Sequence, residues 1–163
     1  MEYEIIKDGK FDYLEVGEGE TLMLCHGLFG ALSNFSDLIE KFRHTHKVVV
    51  PILPLFDLDI LHTSVSGLEK HVAAFIEHKN YTNIHLLGNS LGGHVALVYV
   101  LKHPERVKSL TLTGSSGLFE NAMGDSYPKR GDYEYIKNKT AQTFYDPAVA
   151  TPELVDEVFE ITK

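Results

Sequence analysis

Six residues near the middle of the chain, Gly88-Asn89-Ser90-Leu91-Gly92-Gly93, have the types and spacing of a nucleophile site. A serine hydroxyl serves acyl transfer when it is held clear of its own backbone, beside donors that can take up the charge of a tetrahedral oxyanion. A Gly-x-Ser-x-Gly turn does this when a strand enters it and a helix leaves it. Here Asn83-Ile84-His85-Leu86-Leu87 reads as the strand, and His94-Val95-Ala96-Leu97-Val98-Tyr99-Val100 as the helix. The turn is sharp enough that Ser90 takes a strained backbone conformation and a Cβ at Gly88 or Gly92 collides with the neighbouring chain. The first helical N–H groups are unsatisfied donors at the positive end of the helix dipole. A plain glycine-rich turn with a serine helix cap is the alternative. The flanking strand and helix favour the nucleophile.

The elements that must position Ser90 follow from hydrophobic patterning. Tyr3–Lys7 and Phe11–Val16 alternate apolar and polar residues across Asp8-Gly9-Lys10, a β-hairpin pattern. Thr21–Cys25 and Lys47–Ile52 are continuous apolar runs, the mark of inner strands of a parallel sheet. The first of these ends in a second glycine-bearing loop, His26-Gly27-Leu28-Phe29-Gly30. Between the two strands, Ser33 or Asn34 is placed to cap a helix running to about Arg43. Leu53–Thr63 has no period and reads as loop, and Ser64–Lys79 is helical. After the Ser90 turn come a helix from Leu91 to His103 and a strand, Val107–Thr113, read as apolar on both faces. The order from Thr21 is therefore β-α-β-α-β-α-β, which predicts an α/β fold with a doubly wound, mostly parallel sheet. Ligands of such sheets bind beyond the carboxyl ends of the strands, where both glycine-bearing loops lie. Residues 118–163 lack a strand-like run and carry two helical stretches, 132–144 and 152–162, with Thr151-Pro152 as a helix start. The expected domains are a core, 1–117, and the beginning of a helical cap, 118–163.

Composition narrows the function classes. The 163 residues suit one domain, and 44% apolar and 23% charged residues are ordinary for a globular protein. Fifteen basic against 23 acidic residues give a net charge of −8, which argues against nucleic acid and anionic membrane partners. No apolar run approaches membrane-span length, and the acidic start Met1-Glu2-Tyr3-Glu4 is unlike a signal peptide. The expectation is a cytoplasmic protein with a small-molecule substrate. Cys25, the single cysteine, sits in an apolar run and reads as core. The nine histidines show no metal-ligand spacing, so neither a metal nor another cofactor is expected.

At these two motifs the chain resembles the α/β-hydrolase fold superfamily, in its capped branch of small esterases and carbon–carbon bond hydrolases. The resemblance covers about residues 10–125: His26-Gly27-Leu28-Phe29-Gly30 stands where the family has its oxyanion loop, and Gly88–Gly93 where it has its nucleophile elbow. It implies Ser90 as nucleophile, and the backbone N–H groups of Leu91 and Leu28 as the oxyanion hole, with Phe29 as second choice for the latter. It also implies that His26 and Gly27 support the loop. Leu53-Pro54-Leu55-Phe56-Asp57-Leu58 departs from the glycine-rich turn that many members carry after the fourth strand.

The family's catalytic acid and histidine follow the nucleophile, on loops after a seventh and an eighth strand. Neither strand is in the sequence as far as Lys163, so the reading is a core of strands 1–6 without the C-terminal strands. His94, one turn beyond Ser90, can approach it but is expected to pack as a neutral histidine between helix and sheet. Glu120 and Asp125 are weak candidates for an orienting acid. Two readings follow. One is a serine hydrolase of small ester-like or activated carbon–carbon substrates, represented by an incomplete and weakly active fragment. The other is a binding or interaction module that keeps the fold without turnover. An uncovered Val107–Thr113 edge further predicts a homodimer or strand-exchanged oligomer.

Overall fold

The computed structural model describes residues 3–28, 32–55, 64–118 and 131–162. They divide into two compact units, one up to residue 118 and one from residue 131 onward. The first unit is built on a six-stranded sheet: β1 (Ile6–Asp8), β2 (Phe11–Val16), β3 (Glu20–Cys25), β4 (His46–Pro51), β5 (Ile84–Asn89) and β6 (Val107–Thr113). Its spatial order is β1-β2-β4-β3-β5-β6. The hairpin β1–β2 and the β2–β4 pair are antiparallel, and β4–β3, β3–β5 and β5–β6 are parallel. The doubly wound, mostly parallel α/β architecture is thus present.

Period-two sorting explains why β3 and β4 are apolar without a break. Met23, Leu24 and Cys25 are fully buried, as are Val48, Val49 and Val50, because both faces of these strands are covered. Met23, Cys25 and Val49 face α2 (Val65–His78) and α3 (Leu91–Lys102), packing with Leu68, Val72, Phe75, Val95 and Tyr99. Leu24, Val48 and Val50 face the other way, onto Phe35 and Ile39 of the α1 (Ser36–Phe42) layer. Each fully buried aliphatic or aromatic side chain contributes roughly 1.5–3 kcal/mol, so these two layers hold the sheet.

Connectivity then decides where the site lies. The chain leaves β3 through α1 to β4 on one side, and returns through α2 to β5 on the other side of β3. Right-handed crossovers in opposite directions put α1 on one face and α2 and α3 on the other. The crevice where the direction reverses opens beyond the carboxyl ends of β3 and β5, which pair Cys25 with Gly88. His26 follows the one strand and Ser90 the other.

Some local readings differ from the structure. Ser33 and Asn34 lie inside a 3-10 turn, Leu32–Phe35, and α1 starts at Ser36 with no side-chain cap. Burial of Phe35 and Ile39 against the sheet orders this end in place of a cap. β6 is not apolar on both faces: Lys108, Ser109, Thr111 and Thr113 are exposed and alternate with half-buried Leu110 and Leu112. Its pattern is that of a strand buried on one side only. Ser64, not singled out in the sequence, caps α2 by accepting from the Gly67 N–H at 3.1 Å.

The second unit pairs α4 (Tyr133–Thr143) with α5 (Pro152–Thr162). Asp132 caps α4 through the Tyr135 N–H, and Thr151 accepts from the Leu154 N–H. Ile136, Val155 and Val158 are buried, and the Tyr133 hydroxyl donates to Asp156 at 2.6 Å. Glu120, Asp125 and the loop from Phe56 to Thr63 lie outside the described residues.

Two polar features sit inside the first unit. His26, buried, receives the Leu53 N–H on Nε2 at 2.9 Å, so its proton is on Nδ1, which donates to the Gly27 carbonyl at 2.8 Å. Burial holds this imidazole below the ordinary histidine range, with the Gly27 carbonyl pulling weakly the other way. Glu69, only 1% exposed, stands on the apolar face of α2 and accepts from Lys102 of α3, with His103 Nε2 at 3.9 Å. The buried carboxylate is tolerated because a cation reaches it.

His26 takes up a proton less readily folded than unfolded. The stability it contributes is complete above about pH 6.5 and is lost as pH falls below that value. In urea unfolding between about pH 7 and pH 5, the midpoint of His26→Gln is expected to fall less steeply than that of the parent chain; parallel profiles would show that His26 does not titrate across folding. For the second feature, Lys102→Met leaves Glu69 without its cation and is expected to cost about 1–3 kcal/mol. The double variant Glu69→Met/Lys102→Met recovers most of that loss; strict additivity in the cycle would show that the pair is not coupled.

Candidate active site

The turn after β5 is the tightest point of the fold. Ser90 has φ 53° and ψ −120°, left-handed territory that costs a non-glycine residue roughly 1–3 kcal/mol. The conformation is over-determined by its surroundings. A Cβ on Gly92 would come closer than 3.0 Å to the carbonyl oxygens of Cys25 and His26, and one on Gly88 equally close to the backbone of Gly92 and Gly93. Glycine at both positions lets the first turn of α3 descend onto the end of β3. Beneath Gly93 the limit is a side chain, Ser115, which occupies the space a Cβ would need.

Hydrogen bonds fix what the glycines allow. The Ser90 N–H donates to Thr113 O at 3.1 Å, and the Ser90 carbonyl accepts from the N–H groups of Gly93, His94 and Ser116 at 3.0–3.2 Å. Ser116 Oγ approaches the same carbonyl at 3.4 Å. Asn89 Nδ2 adds bonds to Thr113 O and Oγ1 at 3.0 and 3.1 Å, tying β5 to the end of β6. The backbone of Ser90 is thus fully engaged, whereas its hydroxyl has no hydrogen-bond partner among the described residues.

The second glycine loop comes to the same place. A Cβ on Gly27 would lie 3.1 Å from Ser90 Cβ and 3.5 Å from Ser90 Oγ. His26, Gly27 and Ser90 are therefore brought together, with His26 locked to Leu53 as described above. Leu91 occupies the first turn of α3, where a backbone N–H has no acceptor four residues back. Leu28 is half-buried and directly follows Gly27; Phe29 lies outside the described residues. A carbonyl carbon set over Ser90 Oγ would place its oxygen at the positive end of α3, where a developing negative charge is favoured.

His94 does not join this group. Its ring lies against Gly117, where an added Cβ would fall closer than 3.0 Å to Cγ, Cδ2 and Nε2, and the imidazole makes no hydrogen bond among the described residues. No described imidazole reaches the Ser90 hydroxyl, and no group of three metal-ligating side chains occurs among the described residues. Sequence reading passed over Asn89, Thr113 and Ser116, which brace the turn. Asn89 and Ser116 lie 24 and 26 positions from the partners they hold, so the one available signal was the serine-rich loop Gly114-Ser115-Ser116-Gly117.

Comparison with known proteins agrees with this geometry. The family model described as alpha/beta hydrolase fold matches residues 20–148. A lipase of Psychrobacter immobilis, Lipase 1, is 30% identical over 123 residues, covering 72% of this chain and 39% of that protein. The 2-hydroxy-6-oxo-6-phenylhexa-2,4-dienoate hydrolase of Comamonas testosteroni is 26% identical, covering 95% of this chain and 60% of its own length. This chain thus spans less than two-thirds of either relative. Among solved structures, an alpha/beta hydrolase enzyme from the metagenome of sediments of the Mar Chica lagoon superposes with a TM-score of 0.70. It is 32% identical, with 98% of this chain and 83% of that one covered. With a strand–Ser90–helix elbow at the switch point of a mostly parallel sheet, and with that family's model matched across it, the chain belongs to the alpha/beta hydrolase fold family.

Proposed function

We propose that this chain carries the nucleophilic half of a serine hydrolase that attacks a small carbonyl substrate, ester-like or an activated carbon–carbon bond, through Ser90. The observation that carries the reading is the contrast within one residue: a backbone held by the Thr113, Ser116, Gly93 and His94 bonds, and a hydroxyl without a partner among the described residues. Such an arrangement presents Oγ to a ligand at no further reorganisation cost. A lipase and a carbon–carbon bond hydrolase among the relatives support the same substrate range. In this proposal Ser90 Oγ adds to the substrate carbonyl, its proton passes to a base, and the backbone N–H groups of Leu91 and Leu28 or Phe29 hold the oxyanion. His26 and Gly27 set the distance between that loop and Ser90.

The base is not among the described residues. A serine hydroxyl is a weak nucleophile without one, and no described histidine stands within reach. The 163-residue chain alone is therefore proposed to be catalytically incomplete, keeping only what binding and oxyanion stabilisation provide, on the order of 10³–10⁴ over water.

Incubation of the chain with an activated fluorophosphonate is expected to label Ser90, as read by mass spectrometry, with Ser90→Ala unlabelled. Hydrolysis of p-nitrophenyl acetate is expected to be slow and to rise on adding imidazole as an external base. Labelling absent from the folded parent chain would favour the non-catalytic binding module; ordinary esterase rates without imidazole would refute incompleteness. Gly27→Ala supplies a second check. Its added methyl sits against Ser90, so labelling is expected to slow about tenfold or more while the urea midpoint stays near that of the parent. Unchanged labelling would remove Gly27 from the site.

A further inference from the structure

A cavity of about 170 Å³ opens between the C-terminal halves of α2 and α3, lined by Ala73, Ile76, Glu77, Tyr99, His103 and Arg106. Ser90 and His103 flank the two ends of α3, which has 12 residues. At 1.5 Å per residue, Tyr99 and His103 stand roughly 14–20 Å along the helix from Ser90. The cavity lies at the C-terminal end of α3, away from the carboxyl ends of the strands.

Its polar groups are arranged for a ligand. Tyr99 is 2% exposed, yet its hydroxyl has no hydrogen-bond partner among the described residues. Among the described residues no side-chain polar atom is both sealed from solvent and unpaired, so that hydroxyl retains access through the cavity it lines. Burial raises the Tyr99 phenol above the ordinary tyrosine range, which keeps its proton in place as a donor. Arg106 is half-buried and has no ion-pair partner among the described residues. His103 stacks on Tyr99 at 4.8 Å between ring centroids. Of the nearby carboxylates, Glu69 is already occupied by Lys102, and Glu77 and Glu105 are exposed to solvent. The floor, Ala73 and Ile76, is apolar.

We propose that this cavity is a second binding site, for a short-chain carboxylate whose anionic end meets Arg106 and the Tyr99 hydroxyl and whose alkyl end covers Ala73 and Ile76. The unpartnered donors select an anion, since a buried hydroxyl and a guanidinium both gain charge-assisted hydrogen bonds from a carboxylate. Volume selects the size: at roughly 30 Å³ per water-sized unit, the space holds about six heavy atoms. At about 170 Å³ the cavity is smaller than the roughly 300–1,000 Å³ pockets that take drug-sized ligands. The inference does not depend on Ser90 being a nucleophile.

Titration of the ¹⁵N-labelled full chain with sodium butyrate, followed by amide chemical shifts, tests it. Saturable shifts are expected around Tyr99, His103 and Arg106, with butyrate binding about tenfold tighter than acetate because two more methylenes are buried. Arg106→Gln is expected to weaken butyrate about tenfold or more, and Tyr99→Phe, which keeps the ring and its stacking, about threefold to tenfold. Shifts that do not saturate, equal affinity for acetate and butyrate, or a Tyr99→Phe variant that binds like the parent would each overturn the proposal. So would tighter binding of n-butylammonium or of inorganic phosphate, which would assign the cavity to a cation through Glu77 or to a compact anion without an apolar part.

Discussion

Everything at the candidate site rests on one close approach, the first turn of α3 against the carbonyl oxygens of Cys25 and His26. A single methyl at Gly92 would hold the helix off the sheet. With glycine there, the helix start, the end of β3 and the turn at Ser90 share one small volume, and the backbone of Ser90 is pressed into a positive φ. That conformation costs roughly 1–3 kcal/mol, and each hydrogen bond around it returns about 1 kcal/mol. The bonds from Gly93, His94 and Ser116 to one carbonyl, with Ser90 N–H on Thr113, are enough to offset it. Strain and bracing together hold a hydroxyl outward at a helix N-terminus.

Topology supplies the second loop. Because the chain departs from β3 in one direction and comes back on its other side, the carboxyl ends of β3 and β5 are adjacent although residues 26 and 90 are far apart in sequence. Gly27 then lies against Ser90, and His26 carries the restraint onward to Leu53. The imidazole works here as a neutral strut: an acceptor at Nε2 and a donor at Nδ1, in a place where burial disfavours its charge. A protonated ring would lose the Leu53 bond. The site's histidine and the chemistry's histidine are thus different needs, and the described residues meet the first.

Below the sheet, the charges are arranged differently. Glu69 is drawn into the α2–α3 interface and satisfied by Lys102, whereas among the described residues Arg106 and the Tyr99 hydroxyl have no partner beside an apolar floor. One helix, α3, therefore has an engaged polar network and an unsatisfied one within a turn of its C-terminal end. At its other end the same contrast appears inside a single residue, Ser90.

Much of this was legible in the chain itself. Uninterrupted apolar runs at Thr21–Cys25 and Lys47–Ile52 fixed the inner strands, since only double-sided burial makes such runs stable, and two glycine loops at strand ends located the rim. Local rules also identified Thr151 as a helix cap. They failed where a distant contact outweighed a local preference. Packing of Phe35 and Ile39 started α1 later than its serine and asparagine suggest. In Val107–Thr113 the leucines alternate with polar residues, and burial shows one-sided cover instead of the two-sided cover expected. Glu69 fell on a helix face read only for its apolar members. Sequence by itself determined the α/β order, the strand–Ser90–helix turn and the need for glycine around it, because these depend on backbone sterics and on period. Tertiary structure alone decided that Gly27 touches Ser90, that His26 is tied to Leu53, that Asn89 and Ser116 brace the elbow and that His94 turns to Gly117. Those are pairings between segments far apart in the chain, and no local preference specifies a partner it cannot reach.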